Sequence, residues 1–488
     1  MTSTALLIRN SIILLAGTVL SKGLVFVSYI ALTHQLGVEE FGRYTTLFVY
    51  VTFFALLADA GIESIVIREV GREPDAMASR LGDALCLRAA LILLAIPLAI
   101  ALYPTVFDEN APIVLLGLAS LTLVLSNRGA SLRSLLEIPY RVALRMEIPA
   151  GLGVLTEALF VIALLVTLPH WGLGAAVACQ ALAPLPFAIL LARLVRRDVP
   201  LRPVPDLWGM MRLLRASSPL LVAMVLNLIL TRLDVLLLGR MRGAAEVGLY
   251  AAPVRLVEVA ALLPILLMTS VYPMFAESHG VSPRRLERLF RGSVRFLVAV
   301  VVPLAVVEIA FAGPIVSFLF GPEFEASASV LPILAIGEVS VVVDIVFSSR
   351  LVATNLERRN LIMVLAAAIA NVAANIALIP AFGAVGAAWA TLIAYVVRFG
   401  VAFAWSDTRD AAVQALTSLL PACGAGIGAY LVLAYLQFQS AILLLPAFAL
   451  YAVLLVLFRG VSRREWDLLR EIPASLARPT KEPPEPSA

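Results

Sequence analysis

Lysine is almost absent from this sequence: the 488 residues contain only Lys22 and Lys481, although Lys and Arg together number 37. A phosphate-binding loop of the GxxxxGK[ST] type needs a lysine that reaches the nucleotide, and neither lysine stands in that context. The sequence therefore excludes an ATPase loop of this type, and we predict no cofactor.

Cysteine and histidine are scarce as well, with three residues of each type. None stands at a spacing typical of a metal site, a disulfide framework or a redox pair. Each cysteine lies singly in an apolar stretch, where a small buried side chain is its expected role. The sequence thus predicts no metal site. The six residues are Cys86, Cys179, Cys423, His34, His170 and His279.

Charged residues make up only 14% of the chain, whereas apolar residues make up 61% and the mean hydropathy is +0.97. Soluble domains contain about 45–50% apolar residues. About fourteen apolar runs, each long enough to cross about 30 Å of hydrocarbon as a helix, follow one another between residues 9 and 459. This pattern predicts an all-α polytopic membrane protein. The first run, Ile12 to Leu32, is too long for a signal-peptide core, so we expect it to be retained.

Arginine is concentrated in alternate loops, which is typical of the cytoplasmic side of a membrane. The clusters fall at 68–80, 133–145, 193–215, 284–291, 358–359 and 409, and in the tail after residue 458. The loops between them, near 107–111, 169–172, 321–325, 380–384 and 437–440, contain neither Lys nor Arg, whereas Arg240 and Arg242 break the rule. Both termini are therefore predicted to be cytoplasmic. The net charge of +4 follows from this topology and does not indicate nucleic-acid binding.

Two short turns recur along the chain. LGVEEFGRY at 36–44 matches RGAAEVGLY at 242–250, and LPHWGLGAAVA at 168–178 resembles IPAFGAVGAAWA at 379–390. The offsets are nearly equal, at 206 residues for the first pair and 211 for the second. Six spans separate the copies, so both halves cross the membrane in the same direction. The repeat predicts two pseudo-symmetric six-helix lobes, related by an axis along the membrane normal, with a cavity between them.

The lobe boundaries follow from this repeat and from the proline-rich segment DVPLRPVP at 198–205. We predict an N-lobe over 1–197, a cytoplasmic linker over 198–215, a C-lobe over 216–406, two additional C-terminal spans over 407–459 and a cytoplasmic tail over 460–488. The loops are short, with about a dozen residues at most on the predicted outer side. Because such loops leave no room for a catalytic domain, we do not expect an enzyme.

The segments 36–73 and 217–264 resemble the membrane proteins of polysaccharide biosynthesis, the oligosaccharide-lipid flippases. The pattern that carries the resemblance most clearly is Asp234, Gly239, Gly248, Tyr250, Arg255 and Glu258. The similarity extends over nearly the whole chain. These proteins belong to the multidrug/oligosaccharidyl-lipid/polysaccharide (MOP) exporter superfamily, together with the multidrug and toxin extrusion (MATE) antiporters and the peptidoglycan-precursor flippases.

The resemblance implies that the protein flips an undecaprenyl-diphosphate-linked oligosaccharide across the bacterial cytoplasmic (inner) membrane, for a surface polysaccharide such as O-antigen. It implies alternating access of two lobes, driven by an ion or by the membrane potential, in a monomeric protein. Membrane lipids, a glycan polymerase and export machinery are the partners that it implies. It does not identify the sugar.

Two other classes of protein stay open. A MATE-like antiporter of cations or drugs would need an unpaired carboxylate in its cavity, whereas span one offers Lys22 and no acid. A membrane glycosyltransferase or glycan polymerase would need a large outer loop with catalytic residues. The sequence favours the flippase over both.

A charge deep in a span is expensive and marks either a transport path or a buried pair. Lys22 stands near the middle of span one. It is interpreted either as a cation for the diphosphate or as the structural partner of a carboxylate in another span. The acids available for that pair, or for ion coupling, are Glu157, Glu308 and Glu338.

Spans seven and eight contain a second group of charges. Counted from the turn at 242–250, Arg232 and Arg255 lie at matched depths, about 10–12 Å below the outer end. Arg255 and Glu258, three residues apart, can pair on one helix face, whereas Arg232 and Asp234, two apart, cannot. We predict that these four residues line the cavity. They form either a neutral structural cluster or a site in which a guanidinium binds phosphate oxygens.

Three further features complete the set of predictions. Asp59 and Glu63, near the inner end of span two, are interpreted as helix-end acids above the basic loop or as a cytoplasmic gate. Asp344 and Arg398 are predicted to pair across the second lobe, and Asp344 is a further candidate coupling acid. SPRRLERLFRG at 282–292 begins with a serine N-cap and a proline, which predicts a basic amphipathic helix on the inner membrane surface.

Overall fold

The computed structural model describes residues 3–107, 113–143, 145–200, 206–435 and 444–457. All regular elements within these ranges are helices, so the predicted all-α membrane fold is confirmed. The predicted tail over 460–488, most of the proline-rich segment and the outer loops near 107–111 and 437–440 lie mainly outside the described residues.

Within the described residues, nine α-helices lie before residue 199 and nine lie after residue 206, so that α10 begins inside the predicted linker. The first nine are α1 (Ser3–Asp59), α2 (Ile62–Arg72), α3 (Met77–Val106), α4 (Ile113–Ser120), α5 (Thr122–Leu125), α6 (Leu132–Leu136), α7 (Ile138–Val142), α8 (Glu147–Leu182) and α9 (Leu185–Asp198). The others are α10 (Leu207–Arg242), α11 (Ala244–Ala260), α12 (Leu262–Ser278), α13 (Pro283–Ala310), α14 (Ala312–Phe320), α15 (Leu331–Ala353), α16 (Glu357–Val401), α17 (Ser406–Tyr435) and α18 (Leu444–Leu457).

Helix α1 contains two membrane passes, because the chain reverses at Gly37. This residue has φ +70°, a left-handed conformation that glycine adopts without a steric penalty. The rings of Tyr29 and Phe41 lie 6.3 Å apart on the two sides of the glycine. In a continuous helix, twelve residues would separate them by about 18 Å along the axis. The turn predicted at 36–44 is therefore a reversal of the chain.

The second pair of repeated segments forms reversals of a different shape. Helix α8 turns back at Gly172, where Thr167 Oγ1 and Cys179 Sγ lie 3.2 Å apart although twelve residues separate them. Gly172 has φ +50° and ψ −133°, and Gly383 within α16 has φ +54° and ψ −130°. The nearly equal backbone angles show that the second sequence repeat is also a repeat of local structure.

Nine helical stretches within the described ranges are long and apolar enough to cross a membrane. Three of them contain one of the reversals in α1, α8 and α16, so that these stretches provide twelve passes. Two shorter apolar stretches, Ile113–Leu125 and Leu444–Leu457, are also present. The total of fourteen spans stays a prediction.

The two copies of the first repeated turn pack directly against each other. A Cβ atom on Gly42 would lie 1.8 Å from the carbonyl oxygen of Ala244, and one on Gly248 would lie 2.0 Å from that of Val38. The two contacts are equivalent under the repeat, because Gly248 and Ala244 lie 206 positions after Gly42 and Val38. The two halves are therefore related by a local two-fold arrangement where they meet. Only glycine allows the backbones to approach this closely.

The halves also meet near the opposite end, at a break between α1 and α2. Ala60 and Gly61 have φ values of +48° and +79° there. A Cβ on Gly61 would lie 3.0 Å from Leu220 Cβ and 3.4 Å from the carbonyl oxygen of Ser217, both on α10. The space between the halves is thus bounded by a close contact at each end.

The amphipathic segment at 282–292 is not a surface helix, and that prediction is wrong. Ser282 does cap the helix, since its Oγ accepts a hydrogen bond from Arg285 N at 3.4 Å. However, Leu289 and Phe290 are buried among the apolar side chains of the second half, and α13 continues without interruption to Ala310. The apolar side of the segment packs on protein because it is the first part of a longer membrane helix.

Candidate functional site

A cavity of about 660 Å³ lies between the two halves of the molecule. Side chains of α1, α8, α10 and α11 line it, together with residues of the broken stretch between α5 and α8. Five cations and three carboxylates are among the lining residues, which leaves an excess of two positive charges. The cations are Lys22, Arg128, Arg141, Arg232 and Arg255, and the carboxylates are Glu137, Glu157 and Glu258.

Lys22 is an exposed residue of the cavity wall on the first segment of α1. Within the described residues, no carboxylate oxygen lies within 4 Å of its ammonium group. None of the three acids considered as its partner is available to it: Glu157 pairs with Arg128, and Glu308 and Glu338 do not line the cavity. The structural-pair interpretation of Lys22 therefore has no support in this conformation.

Arg128 is a cavity residue that was not predicted from the sequence. Its guanidinium pairs with Glu157 through Nε at 2.9 Å and through a second short contact, and it lies 4.8 Å above the ring of Phe160. Its Nη1 also donates to Gln180 Oε1 at 3.1 Å. The helix of the fourth span is interrupted after Leu125, and this break places Arg128 in the cavity. The available signal was the polar run SNRG at 126–129, which interrupts an apolar stretch.

The cations of α10 and α11 share one carboxylate. Arg232 Nη2 lies 2.6 Å from Glu258 Oε1, and Arg255 Nη1 lies 2.8 Å from Glu258 Oε2. The Arg255 guanidinium also lies 4.0 Å above the ring of Tyr29, which belongs to α1. The predicted pair of Arg255 and Glu258 is therefore present. The group carries one net positive charge rather than none, and it joins the two halves of the molecule.

Asp234 does not belong to this cluster, which corrects its assignment to the cavity. It is 3% exposed, accepts a short hydrogen bond from Tyr250 Oη, and accepts another from Val235 N at 2.8 Å. Residues two apart on a helix point about 200° away from each other. Since Arg232 faces the cavity, Asp234 faces the protein interior behind it.

The two acids near the predicted inner end of span two are both paired. Asp59 contacts Arg88 of α3 at short distance, and both side chains are buried. Glu63 lies 2.8 Å from Arg141, which also lies 2.8 Å from Glu137. The acids thus link the break at Gly61 to the wall of the cavity.

Glu137 stands at the edge of this network, between α6 and α7. Burial raises the pKa of its carboxyl above the ordinary value, and the neighbouring Arg141 guanidinium opposes that rise. The ion pair with Arg141 therefore compensates part of the cost of burying the carboxylate.

Two further groups of acids lie in the second half of the molecule. Asp344 Oδ1 lies 2.6 Å from Arg398 Nε, so the predicted pair is present, and Arg398 is 4% exposed. Glu308 and Glu338 are buried between α13 and α15, and neither is in an ion pair within the described residues. Nowhere in the described ranges are three His, Cys, Asp or Glu side chains grouped as a metal site requires.

Comparison with known families gives two overlapping matches. The family described as polysaccharide biosynthesis protein matches residues 7–279, and the MatE family matches residues 219–377. A probable low-salt glycan biosynthesis flippase of Haloferax volcanii is 25% identical over 167 residues, which cover 34% of this chain and 35% of that protein. The succinoglycan biosynthesis transport protein ExoT of Rhizobium meliloti is 28% identical over 336 residues, 66% of this chain and 65% of that protein. The chain thus matches less than two thirds of the length of either relative.

Solved structures share the fold at low sequence identity. The lipid II flippase MurJ in an inward closed conformation superposes with a TM-score of 0.74 at 13% identity. The superposition covers 94% of this chain and 100% of the MurJ chain. An inward-facing multidrug resistance MATE family transporter of the MOP superfamily has a TM-score of 0.66 at 14% identity, covering 83% and 99%. Since the polysaccharide biosynthesis family matches more than half of the sequence, the chain, a multi-pass membrane protein with the fold of these solved structures, belongs to the polysaccharide biosynthesis family.

Proposed function

We propose that this protein flips a polyprenyl-diphosphate-linked oligosaccharide across the bacterial cytoplasmic membrane, for the assembly of a surface polysaccharide. The observation that carries the proposal is the interlobe cavity, which has an excess of two positive charges and in which Lys22 has no ion-pair partner among the described residues. The names of the relatives and the family support it, because each refers to glycan or polysaccharide biosynthesis. Undecaprenyl diphosphate is the proposed lipid carrier.

The cavity has the groups that such a substrate requires. A diphosphate brings negative charge, which Lys22 can bind as a point charge and the arginines through their planar donor forks. Asn127 and Gln180 add uncharged groups to the wall, suitable for sugar hydroxyls. The apolar polyprenyl chain can stay in the lipid while the charged headgroup crosses the membrane between the lobes.

The two contacts between the lobes provide the gates. The crossing of Gly42 and Gly248 closes the end that carries the repeated turns, which the arginine pattern places outside. The contact of Gly61 with α10 closes the opposite end, beside the paired acids Asp59 and Glu63. Alternating access then consists of opening one contact while the other holds. The ion pairs of Asp59 and Glu63 stiffen the helices that form the inner gate.

A cation or drug antiporter is the second candidate, because the MatE family matches residues 219–377 and MATE transporters share the fold. A cationic cargo would meet a cavity with excess positive charge, which opposes its entry. The cavity therefore favours an anionic cargo over a cationic one.

Deletion of the gene separates the two candidates. We expect surface glycan to be lost and lipid-linked oligosaccharide to accumulate on the cytoplasmic leaflet, with unchanged tolerance of cationic dyes. Leaflet-resolved measurement of lipid-linked sugar and growth on the dyes, both in the same deletion strain, provide the test. Normal glycan with increased dye sensitivity would support the antiporter and reject the flippase.

A further inference from the structure

A second cavity, of about 550 Å³, adjoins the charged one. Its walls come from the second segment of α1, between residues 48 and 56, and from α10, between residues 220 and 228. The two cavities are adjacent, because they share part of their lining. The shared residues are Phe48, Thr52, Arg128 and Gln180.

The second cavity is mainly apolar. Arg128 is the one charged side chain among its lining residues in the described part of the chain. Opposite walls are formed by Val51 and Ala55 on α1 and by Ala223 and Met224 on α10. Volumes of roughly 300–1,000 Å³ are typical of ligand sites, and both cavities fall in this range. Along the two cavities the lining therefore changes from charged to apolar, and Arg128 stands at the boundary.

We infer that the apolar cavity binds the isoprene units next to the diphosphate of the lipid carrier, and that Arg128 contacts the phosphate at the junction. The inference rests on the proposed function and adds a site for the part of the substrate that the charged cavity cannot hold. A polyprenyl diphosphate joins an anionic group directly to a branched apolar chain. A site that binds both must place a cation beside an apolar wall, as these cavities do.

Arg128 is held in a fixed orientation for this contact. Glu157 and Gln180 accept three of its five N–H donors, and the ring of Phe160 covers one face of the guanidinium. The arginine side chain is 23% exposed, whereas that of Glu157 is only 2% exposed. Two donors and an accessible edge therefore remain for a phosphate oxygen, while the carboxylate that orients the arginine stays behind it.

The two walls belong to different lobes, α1 to the N-lobe and α10 to the C-lobe. A chain bound between them contacts both, so the site changes shape whenever the lobes move apart. Phospholipids share the chemistry of a phosphate next to an apolar chain, but their ester-linked acyl chains are not branched. We assign the site to the isoprenoid carrier, and the experiment includes an arm for the phospholipid.

Binding of undecaprenyl diphosphate to the purified full-length protein tests the inference, with inorganic diphosphate as a probe of the charged cavity alone. Ala223→Trp fills the apolar cavity from α10, and Ala55→Phe fills it from α1. Val222→Trp is the matched control, because Val222 is 53% exposed and does not line the cavity. We expect the two filling variants to bind undecaprenyl diphosphate about tenfold more weakly and inorganic diphosphate normally, and the control to bind both normally.

Each other outcome overturns a defined part of the assignment. Wild-type affinity for undecaprenyl diphosphate in both filling variants rejects the apolar site but leaves the proposed function intact. Displacement of undecaprenyl diphosphate by an equal concentration of phosphatidylglycerol assigns the site to membrane lipid instead. Absence of binding to the wild-type protein rejects both the proposed function and this inference. Arg128→Lys keeps the charge but removes the fork, and we expect it to weaken binding of both probes.

Discussion

Lys22 differs from the other four cations of the cavity, each of which lies within 4 Å of a carboxylate. An unpaired ammonium group in a membrane cavity is costly unless water or a ligand compensates it. Because no carboxylate in the described part of the chain pairs with it, its charge is available to an anionic substrate. This availability makes Lys22 the residue whose removal separates transport from folding most clearly.

We expect Lys22→Ala to lower the transport rate about ten- to hundredfold at normal expression, because a hydrogen bond to a charged group contributes about 1.5–3 kcal/mol. Lys22→Arg keeps the positive charge and should retain most of the activity. Transport of lipid-linked oligosaccharide in reconstituted vesicles, with protein amounts measured in parallel, checks both variants. Wild-type transport by Lys22→Ala would remove this residue from the proposed site.

Arg232 and Arg255 share the carboxylate of Glu258. Substitutions in this cluster should therefore differ in their effect on stability. Arg255→Ala leaves Glu258 paired with Arg232, whereas Glu258→Ala leaves two neighbouring guanidinium groups without a counter-charge. We therefore expect Glu258→Ala to lower the yield and the thermal stability of the purified protein more than Arg255→Ala does. Equal losses in the two variants would contradict the geometry of the shared carboxylate.

Counting residues along the helices was sufficient to predict some of the residues that line the cavity, but not the others. Arg232, Arg255 and Glu258 were predicted because their depth follows from the rise of a helix, which the sequence determines. Arg128 was missed and Asp234 was placed on the wrong side, because both depend on where a helix breaks or which face it turns inward. Those properties are set by packing between distant segments.

At the scale of single elements, glycine positions determine how the helices turn and meet. The sequence predicted turns at Gly37 and Gly243, and the structure gives them similar backbone angles, with φ +70° and +90°. The crossing of Gly42 and Gly248 was not predicted, although both residues stand in the repeated motif. A local pattern indicates a turn, but it does not show that two turns 206 residues apart touch.

Closure at the glycine crossing can be tested by adding a side chain. A Cβ on Gly42 would lie 1.8 Å from a carbonyl oxygen, so Gly42→Leu should separate the lobes at this end and weaken transport. Gly23→Leu is the control, because a Cβ there meets no atom within 4 Å. Spin labels at Glu39 and Ala245, measured by double electron–electron resonance, should show a longer distance in Gly42→Leu only. An unchanged distance would reject this crossing as a gate.

The pair of Asp344 and Arg398 ties α15 to α16. Removing one partner of a buried ion pair costs about 3–5 kcal/mol, because the other charge is left unpaired. We expect Arg398→Ala and Asp344→Ala each to lower the thermal stability of the purified protein strongly. The double variant should be less destabilised than the sum of the two, since no unpaired charge remains. Additive losses would show that the two residues do not act as a pair.

At the scale of the whole molecule, composition and periodicity were sufficient to predict the class of the protein and its internal repeat. Apolar runs of membrane-spanning length depend on the residues of one segment, so the sequence alone predicts them. The arrangement of the lobes depends on contacts between segments that are far apart in the chain. The two adjacent cavities follow from that arrangement, which is why the apolar one had no counterpart among the predictions.

The topology itself is open to a direct test that uses the repeat. Equivalent positions 206 residues apart must lie on the same side of the membrane, because six spans separate them. We therefore expect Glu39→Cys and Ala245→Cys, each in a protein whose three native cysteines are replaced by serine, to react with an impermeant maleimide in intact cells. Both positions are exposed, so lack of reaction would not result from burial. Arg285→Cys, on the predicted cytoplasmic side, should react only after permeabilisation. Opposite labelling of Glu39→Cys and Ala245→Cys would show that the halves are inverted, and the pseudo-symmetric cavity would then lose its basis.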